Sequence, residues 1–189
     1  VHHTRPAPGV NLILYSNLAG ADVDAVIRGE QAYFTSLRQP FEWKVYSHDQ
    51  PADLKERLVA HGFMPDEPEA IMALDVTRAS PELLAPVSTE FRQIIQREQL
   101  GDVIRVLEEV WERSFEWVWE RLGAHLDIPG YLNVYVAYVA GEPASTAWIY
   151  FHDGSQFAGL WGGSTRAAYR QRGLYSALLT LRVQAAQRR

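Results

Sequence analysis

Two short turns close together constrain this chain more than any other feature. Residues 131–161 carry three strand-like runs, Tyr131–Ala140, Ala144–Phe151 and Gln156–Trp161, separated by turns at Gly141-Glu142 and Asp153-Gly154. Links this short join antiparallel neighbours, because a parallel pair needs a long crossover. Asp-Gly between two strand patterns is also a strong hairpin signal. Before this meander, Glu90–Ile95 reads as a strand, followed by a long helical pattern with Leu100, Val103, Ile104, Leu107, Val110 and Trp111 on one face. The pattern runs into Phe115, Trp117, Val118, Trp119 and Leu122, and Ile128-Pro129-Gly130 breaks it. After the meander a helix starts near Gly173, with Leu174, Ala177, Leu178, Leu181 and Ala185 facing the core. Strand, two helices, meander and helix make a mixed α/β (α+β) layout with a largely antiparallel central sheet. A doubly wound sheet does not fit.

The first half alternates helix and strand. Val10–Tyr15 is an apolar run suited to a strand, and Asp22 caps a helix that carries Val23, Val26, Ile27, Ala32, Tyr33 and Leu37 up to Gln39-Pro40. Phe41–Tyr46 alternates apolar and polar residues. Pro51 opens a second helix that His61-Gly62 closes, and Ala70–Val76 reads as another strand. Thr77–Pro86 is the linker candidate, which divides the chain into a half domain, residues 1–80, and a domain, residues 81–189. At 189 residues and 47% hydrophobic content the chain can bury a core without covalent staples. It has no cysteine, which excludes disulfides, a thiolate nucleophile and cysteine metal sites. No stretch approaches the ~20 apolar residues of a membrane span. The start, Val1-His2-His3-Thr4-Arg5, lacks the apolar core of a signal peptide, so a cytoplasmic location is expected.

Charge divides the chain. From Gly154 to Arg189 there is no acid but six arginines, Arg166, Arg170, Arg172, Arg182, Arg188 and Arg189. The remaining 12 basic residues stand against all 23 acidic ones, a net of −11 before that tail. A basic tail on an acidic body suits either an anionic partner or a solvated helix face. Nucleic acid is not expected, since the body offers no large basic footprint. The most informative stretch is Leu160–Leu179, LWGGSTRAAYRQRGLYSALL, where a strand ends at Gly162-Gly163-Ser164 and Gly173 stands at a helix start. Unpaired N–H groups and the positive end of the helix dipole make such a start a phosphate cradle. Arg170 and Arg172 flank it. A Walker A loop is excluded because no Gly-Lys-Ser/Thr is present, and a Rossmann turn has one glycine where three are needed.

This stretch resembles the acyl-CoA-binding motif of the GNAT superfamily of acetyltransferases: Gln or Arg, two residues, Gly, one residue, then Gly or Ala. Arg170 matches the first position and Gly173 the second; Tyr175 departs at the third. The resemblance covers Ser88–Arg189 and implies a GNAT-like sheet flanked by helices. It implies that Arg170 and the amides of Gln171, Arg172, Gly173, Leu174, Tyr175 and Ser176 bind the CoA pyrophosphate. It also implies that the strand Phe157–Ser164, with Trp161, Gly162, Gly163 and Ser164, pairs with the pantetheine arm. The implied activity is N-acyl transfer, with acetyl-CoA as donor and an amine as acceptor that attacks the thioester directly. A backbone N–H near Leu160–Gly162 would polarise the thioester oxygen.

No catalytic acid or base carries over. Gln156–Ser164 contains no acid where the family often has a glutamate, and the family's tyrosine acid lies on a helix beyond Arg189. These gaps and Tyr175 favour the alternative, a non-catalytic acyl-CoA-binding or regulatory module. Glu116 and Glu120 lie where the acceptor site is lined in that fold. Trp117 and Trp119 suit either stacking on a cationic amine or the core. His48-Asp49 is a polar pair or a plain loop, and His2-His3 and His125 lack the spacing of a helical metal site, so no metal is expected. The domain reads as lacking its C-terminal strands. The first half, with a helix ending in Gly62-Phe63, resembles a degenerate copy of that missing end and is expected to add strands to the same sheet. Asn17-Leu18-Ala19-Gly20 offers no charge, so that half is not expected to bind CoA. A homodimer is compatible with this reading.

Overall fold

The computed structural model describes residues 11–189, in two compact units, one ending at Ile71 and the other running from Met72 to Arg189. His2, His3 and Val10 lie outside the described residues. In the first unit, β1 (Asn11–Ile13) and β2 (Phe41–Trp43) pair in parallel, joined by α1 (Val23–Ser36) and followed by α2 (Leu54–Ala60). The Asp22 carboxylate caps α1 by accepting from the Ala25 N–H at 3.0 Å. Ile13, Ile27, Phe34, Trp43, Leu54 and Leu58 form the core of this unit.

The expected strands here are cut short. Leu14, Tyr15 and Val45 are exposed, so each strand keeps only three residues. The second helix begins at Leu54, three residues after Pro51. Ala70–Val76 joins no ladder, and Ile71 and Met72 are 76% and 91% exposed. β1 and β2 make a sheet of their own, so the expectation of a shared sheet is not met among the described residues.

The second unit opens with a 3-10 turn at Val76–Arg78 and the short α3 (Pro81–Leu84), so Thr77–Pro86 is folded into it rather than linking. Then come β3 (Phe91–Ile94), α4 (Gly101–Trp111), α5 (Glu116–Leu126), β4 (Leu132–Val139), β5 (Glu142–Phe151), β6 (Ala158–Thr165) and α6 (Leu174–Gln187). The sheet runs β3-β4-β5-β6, every pair antiparallel. The two helices expected before the meander are present, and they part at Glu112, which takes a left-handed conformation, φ +51°.

Both faces of β4 and β5 are apolar, as a central pair covered on two sides requires. Val134, Val136, Tyr138 and Trp148 meet Val103, Leu107, Phe115, Val118 and Leu122 of α4 and α5. Tyr135, Ala137, Ala147 and Ile149 meet Leu174, Leu178 and Ala185 of α6. The alanines let α6 lie close. Each large side chain so buried contributes roughly 1.5–3 kcal/mol.

The β4–β5 turn is Ala140-Gly141, both at positive φ (+51° and +79°), one residue earlier than expected. That is the type I′ geometry that matches strand twist. The β5–β6 link is longer than Asp153-Gly154 alone, since β6 starts only at Ala158. Gly154 takes φ +74°, and the Ser155 N–H donates to the His152 carbonyl.

Candidate functional site

β6 is one of the two edge strands of this sheet, and it carries a bulge. Thr146 faces Ser164 and Trp148 faces Trp161, so Gly162 and Gly163 together oppose the single residue Ala147. A bulge adds twist and re-aims the strand. Two glycines are needed there for separate reasons. Gly162 has φ +66°, and a Cβ on it would collide with the Trp148 ring. A Cβ on Gly163 would lie 2.7 Å from the ring of Tyr175.

From Thr165 the chain makes a 3-10 turn (Ala167–Tyr169), then passes Arg170, Gln171 (φ +61°), Arg172 and Gly173 (φ +74°) into α6. Gly173 is the N-cap, no side chain caps the helix, and its first turn holds no acid. The early N–H groups of a fourteen-residue helix are thus left facing outward with an uncompensated dipole. Arg170, Gln171, Arg172, Tyr175 and Ser176 are exposed around this start. Leu174 is different: its side chain is core, 5% exposed, so only its backbone belongs to the surface.

Between the end of α4, the end of β6 and this helix start lies a cleft of about 420 Å³, lined by Val110, Trp111, Gly163, Ser164, Thr165, Arg170 and Tyr175. The predicted residues Gly163, Ser164, Arg170 and Tyr175 therefore meet at one place. Ser164 is buried and committed to structure, its hydroxyl accepting from Trp111 Nε1 at 3.1 Å and its carbonyl from the Ser145 hydroxyl at 2.8 Å. Trp161, 49% exposed, folds over Gly159 instead of lining the cleft. Val110 and Trp111 were legible as an apolar helix face, but their place in a cleft depends on the chain turning back at β6.

The six arginines do not act as one patch. Arg166 binds Glu109 at 2.6 Å and the Pro143 carbonyl at 2.8 Å. That contact holds the Glu109 carboxyl below its ordinary range and raises Arg166. Arg170 donates to the Thr165 carbonyl at 3.2 Å, and Arg172 lies 5.6 Å from the Tyr169 ring. Arg182, unexpected at 2% exposure, donates through Nε to the Leu178 carbonyl. Its Nη2 has no hydrogen-bond partner among the described residues, and burial lowers its pKa. Arg189 stacks 4.3 Å over Phe151.

The acceptor-side candidates separate. Glu120 is tied to Arg97 at 2.6 Å, while Trp117 and Trp119 pack against the core. Asp49 accepts from the Tyr46 N–H at 2.9 Å, and His48 stacks on Tyr46, so the two are a loop and not a pair. Among the described residues no three His, Asp or Glu side chains cluster as metal ligands. Among the described residues no helix is long and apolar enough to cross a membrane.

No protein-family model and no curated protein sequence matches this chain. Solved structures do. A GCN5-related N-acetyltransferase from Kribbella flavida matches with a TM-score of 0.64 and 15% identity, over 88% of this chain and 61% of that one. A Pyrococcus horikoshii structure matches at 0.46 and 16% identity, over 56% of this chain and 37% of that one. The PaiA N-acetyltransferase of Thermoplasma acidophilum, solved with coenzyme A, matches at 0.45 and 16% identity, over 53% and 73%. The chain thus spans less than two thirds of the first two. The Kribbella likeness shows the fold alone: a mixed α+β domain with an antiparallel sheet, as in that GCN5-related N-acetyltransferase.

Proposed function

We propose that the second unit binds acetyl-CoA and transfers its acetyl group to an amine. The observation that carries this reading is the helix start at Gly173: uncapped, free of acid, flanked by Arg170 and Arg172, and reached from an edge strand that bulges at two glycines. In this reading the pyrophosphate lies on the amides of Gln171 to Ser176, and the two arginines add charge-assisted hydrogen bonds. The pantetheine arm follows the outer edge of β6, which pairs with no strand among the described residues. An edge strand can pair with an extended ligand as it would with another strand. Catalysis then consists of positioning the thioester and the amine and of polarising the carbonyl near Leu160–Gly162.

The test is calorimetric titration of the full chain with acetyl-CoA and with acetyl-pantetheine, which lacks the pyrophosphate. Wild type should bind acetyl-CoA much more tightly than acetyl-pantetheine. Replacing Arg170 and Arg172 by Gln should cost acetyl-CoA about tenfold or more and leave acetyl-pantetheine unchanged. Gly173→Val, at φ +74°, should remove acetyl-CoA binding, with thermal melting to confirm a folded protein. Absence of binding by wild type sinks the reading.

One observation favours a second reading, an acyl-CoA-binding module without turnover. The Tyr175 ring lies against Gly163 in the cleft, at the motif position the GNAT pattern gives to a small residue. In that case acetyl-CoA binds, but no amine releases CoA.

A further inference from the structure

The GNAT-like reading leaves the reaction without a group to take the proton from the attacking amine. Away from the cleft, four titratable aromatic side chains gather where α5 ends, β4 begins and β5 ends. His125 Nδ1 lies 2.8 Å from the Tyr150 hydroxyl. The His125 ring meets Tyr131 and Tyr150 edge-on at 5.3 and 5.4 Å, and His152 lies 5.3 Å from Tyr131. His125, Tyr131 and Tyr150 are half-buried, and His152 is exposed. His125 Nε2 makes no hydrogen bond among the described residues.

Strand register connects this cluster to the site. Tyr150 stands opposite Gly159 and Trp148 opposite Trp161, so the four residues share the face of the sheet covered by α4 and α5. Trp161 folds its indole over Gly159, directly beside Tyr150. At roughly 3.3 Å per residue, Gly159 lies about 3–10 Å along β6 from Leu160–Gly162, where the thioester carbonyl would sit. The cluster therefore borders the ground an incoming amine must occupy.

Resting on the proposed acetyl-CoA reading, we propose that His125, held by Tyr150, is the general base that accepts the proton of the acceptor amine. The Nδ1–H donates to the Tyr150 oxygen, which leaves the Nε2 lone pair facing outward, the tautomer such a base needs. Tyr150 is the positioning residue. Its own proton stays on, because burial and the neighbouring Tyr131 push the phenol up, with Arg121 opposing. His125 is kept neutral near pH 7, since burial and then the Arg121 guanidinium lower its pKa. In the step, the amine nitrogen forms a bond to the acetyl carbon and gives its proton to Nε2. The C–S bond breaks with its electron pair on sulfur, and the thiolate recovers the proton as free CoA. No further reactant is required.

The experiment follows CoA release from acetyl-CoA across pH 5–9, with spermidine, L-lysine, tyramine and hydroxylamine as acceptors. Hydroxylamine is unprotonated near neutral pH, so no base is needed to free its lone pair before attack, and only the proton released on N–C bond formation has to be taken up. His125→Gln should lower kcat with the basic amines about 10²–10⁴-fold, abolish the acidic limb of the pH profile, lower the hydroxylamine rate clearly less, and leave acetyl-CoA affinity unchanged. Tyr150→Phe, which keeps the ring and loses only the oxygen, should show a smaller loss on the same acceptors. Equal loss with hydroxylamine, or unchanged rates with the amines, overturns the assignment. So does a wild type that binds acetyl-CoA and releases no CoA to any acceptor. Wild type that binds no acetyl-CoA, measured before any acceptor is added, is the separate failure of the underlying reading and removes this one with it.

Discussion

Gly162 and Gly173 share a positive φ, +66° and +74°, but what surrounds them differs. At Gly173 an added Cβ meets nothing within 4 Å, so alanine there pays only the left-handed backbone penalty, about 1–2 kcal/mol. At Gly162 the same backbone penalty is joined by a collision with the Trp148 ring, which is itself packed in the core. Overpacking adds about 1–3 kcal/mol. Gly162→Ala should therefore lower stability by about 2–5 kcal/mol and Gly173→Ala by clearly less, measured by urea unfolding of each variant. Equal losses would show that the bulge does not press on Trp148. Both glycines were visible in the sequence, Gly162 at a strand end and Gly173 at a helix start. Only register distinguishes a glycine kept for backbone freedom from one kept for lack of space. Arg182 was invisible for a similar reason: its position on α6 reads as a solvated face until the turn against Trp161 and Leu178 is known.

At the scale of elements, the antiparallel meander was the most legible part, because period-2 alternation and short turns are local signals. The boundaries failed where burial decides them. Ala70–Val76 has the composition of a strand but no partner edge among the described residues, and composition alone cannot supply one. The αL residue Glu112, which divides α4 from α5, is not a glycine or asparagine and gives no warning. What fastens α4 to the end of β6 is also a tertiary fact: the Glu109–Arg166 pair, bridged in turn to Pro143 at the start of β5. Glu109 is held below its ordinary pKa by the Arg166 hydrogen bond, so its contribution is complete above the ordinary glutamate range and fades as pH falls through the depressed value. Glu109→Gln should lower the melting temperature by about 1–4 °C at neutral pH. That difference should shrink in high salt and fade progressively as pH falls below the ordinary glutamate range and through the depressed value. A difference that is independent of pH would assign the contact to packing instead of charge.

For the whole molecule, the division of charge was read correctly from the sequence, but its meaning lies in how each helix starts. α6 begins with Gly173, no acid and two flanking arginines. α1, the corresponding helix start of the first unit, is capped by the Asp22 carboxylate and carries Asp24 in its first turn. A carboxylate already bonded to the Ala25 N–H occupies the donor a phosphate would need and repels its charge. The two starts should then behave oppositely toward the same ligand. Hydrogen exchange of the full chain with and without acetyl-CoA reads both at once, because a bound pyrophosphate supplies acceptors to amides that otherwise exchange freely. Protection should appear in residues 158–178, over β6 and the first turn of α6, and residues 11–71 should be unchanged. Protection within residues 17–30 would mean that an acid-capped helix start can hold the nucleotide, and the electrostatic argument for Gly173 as the site would fall with it.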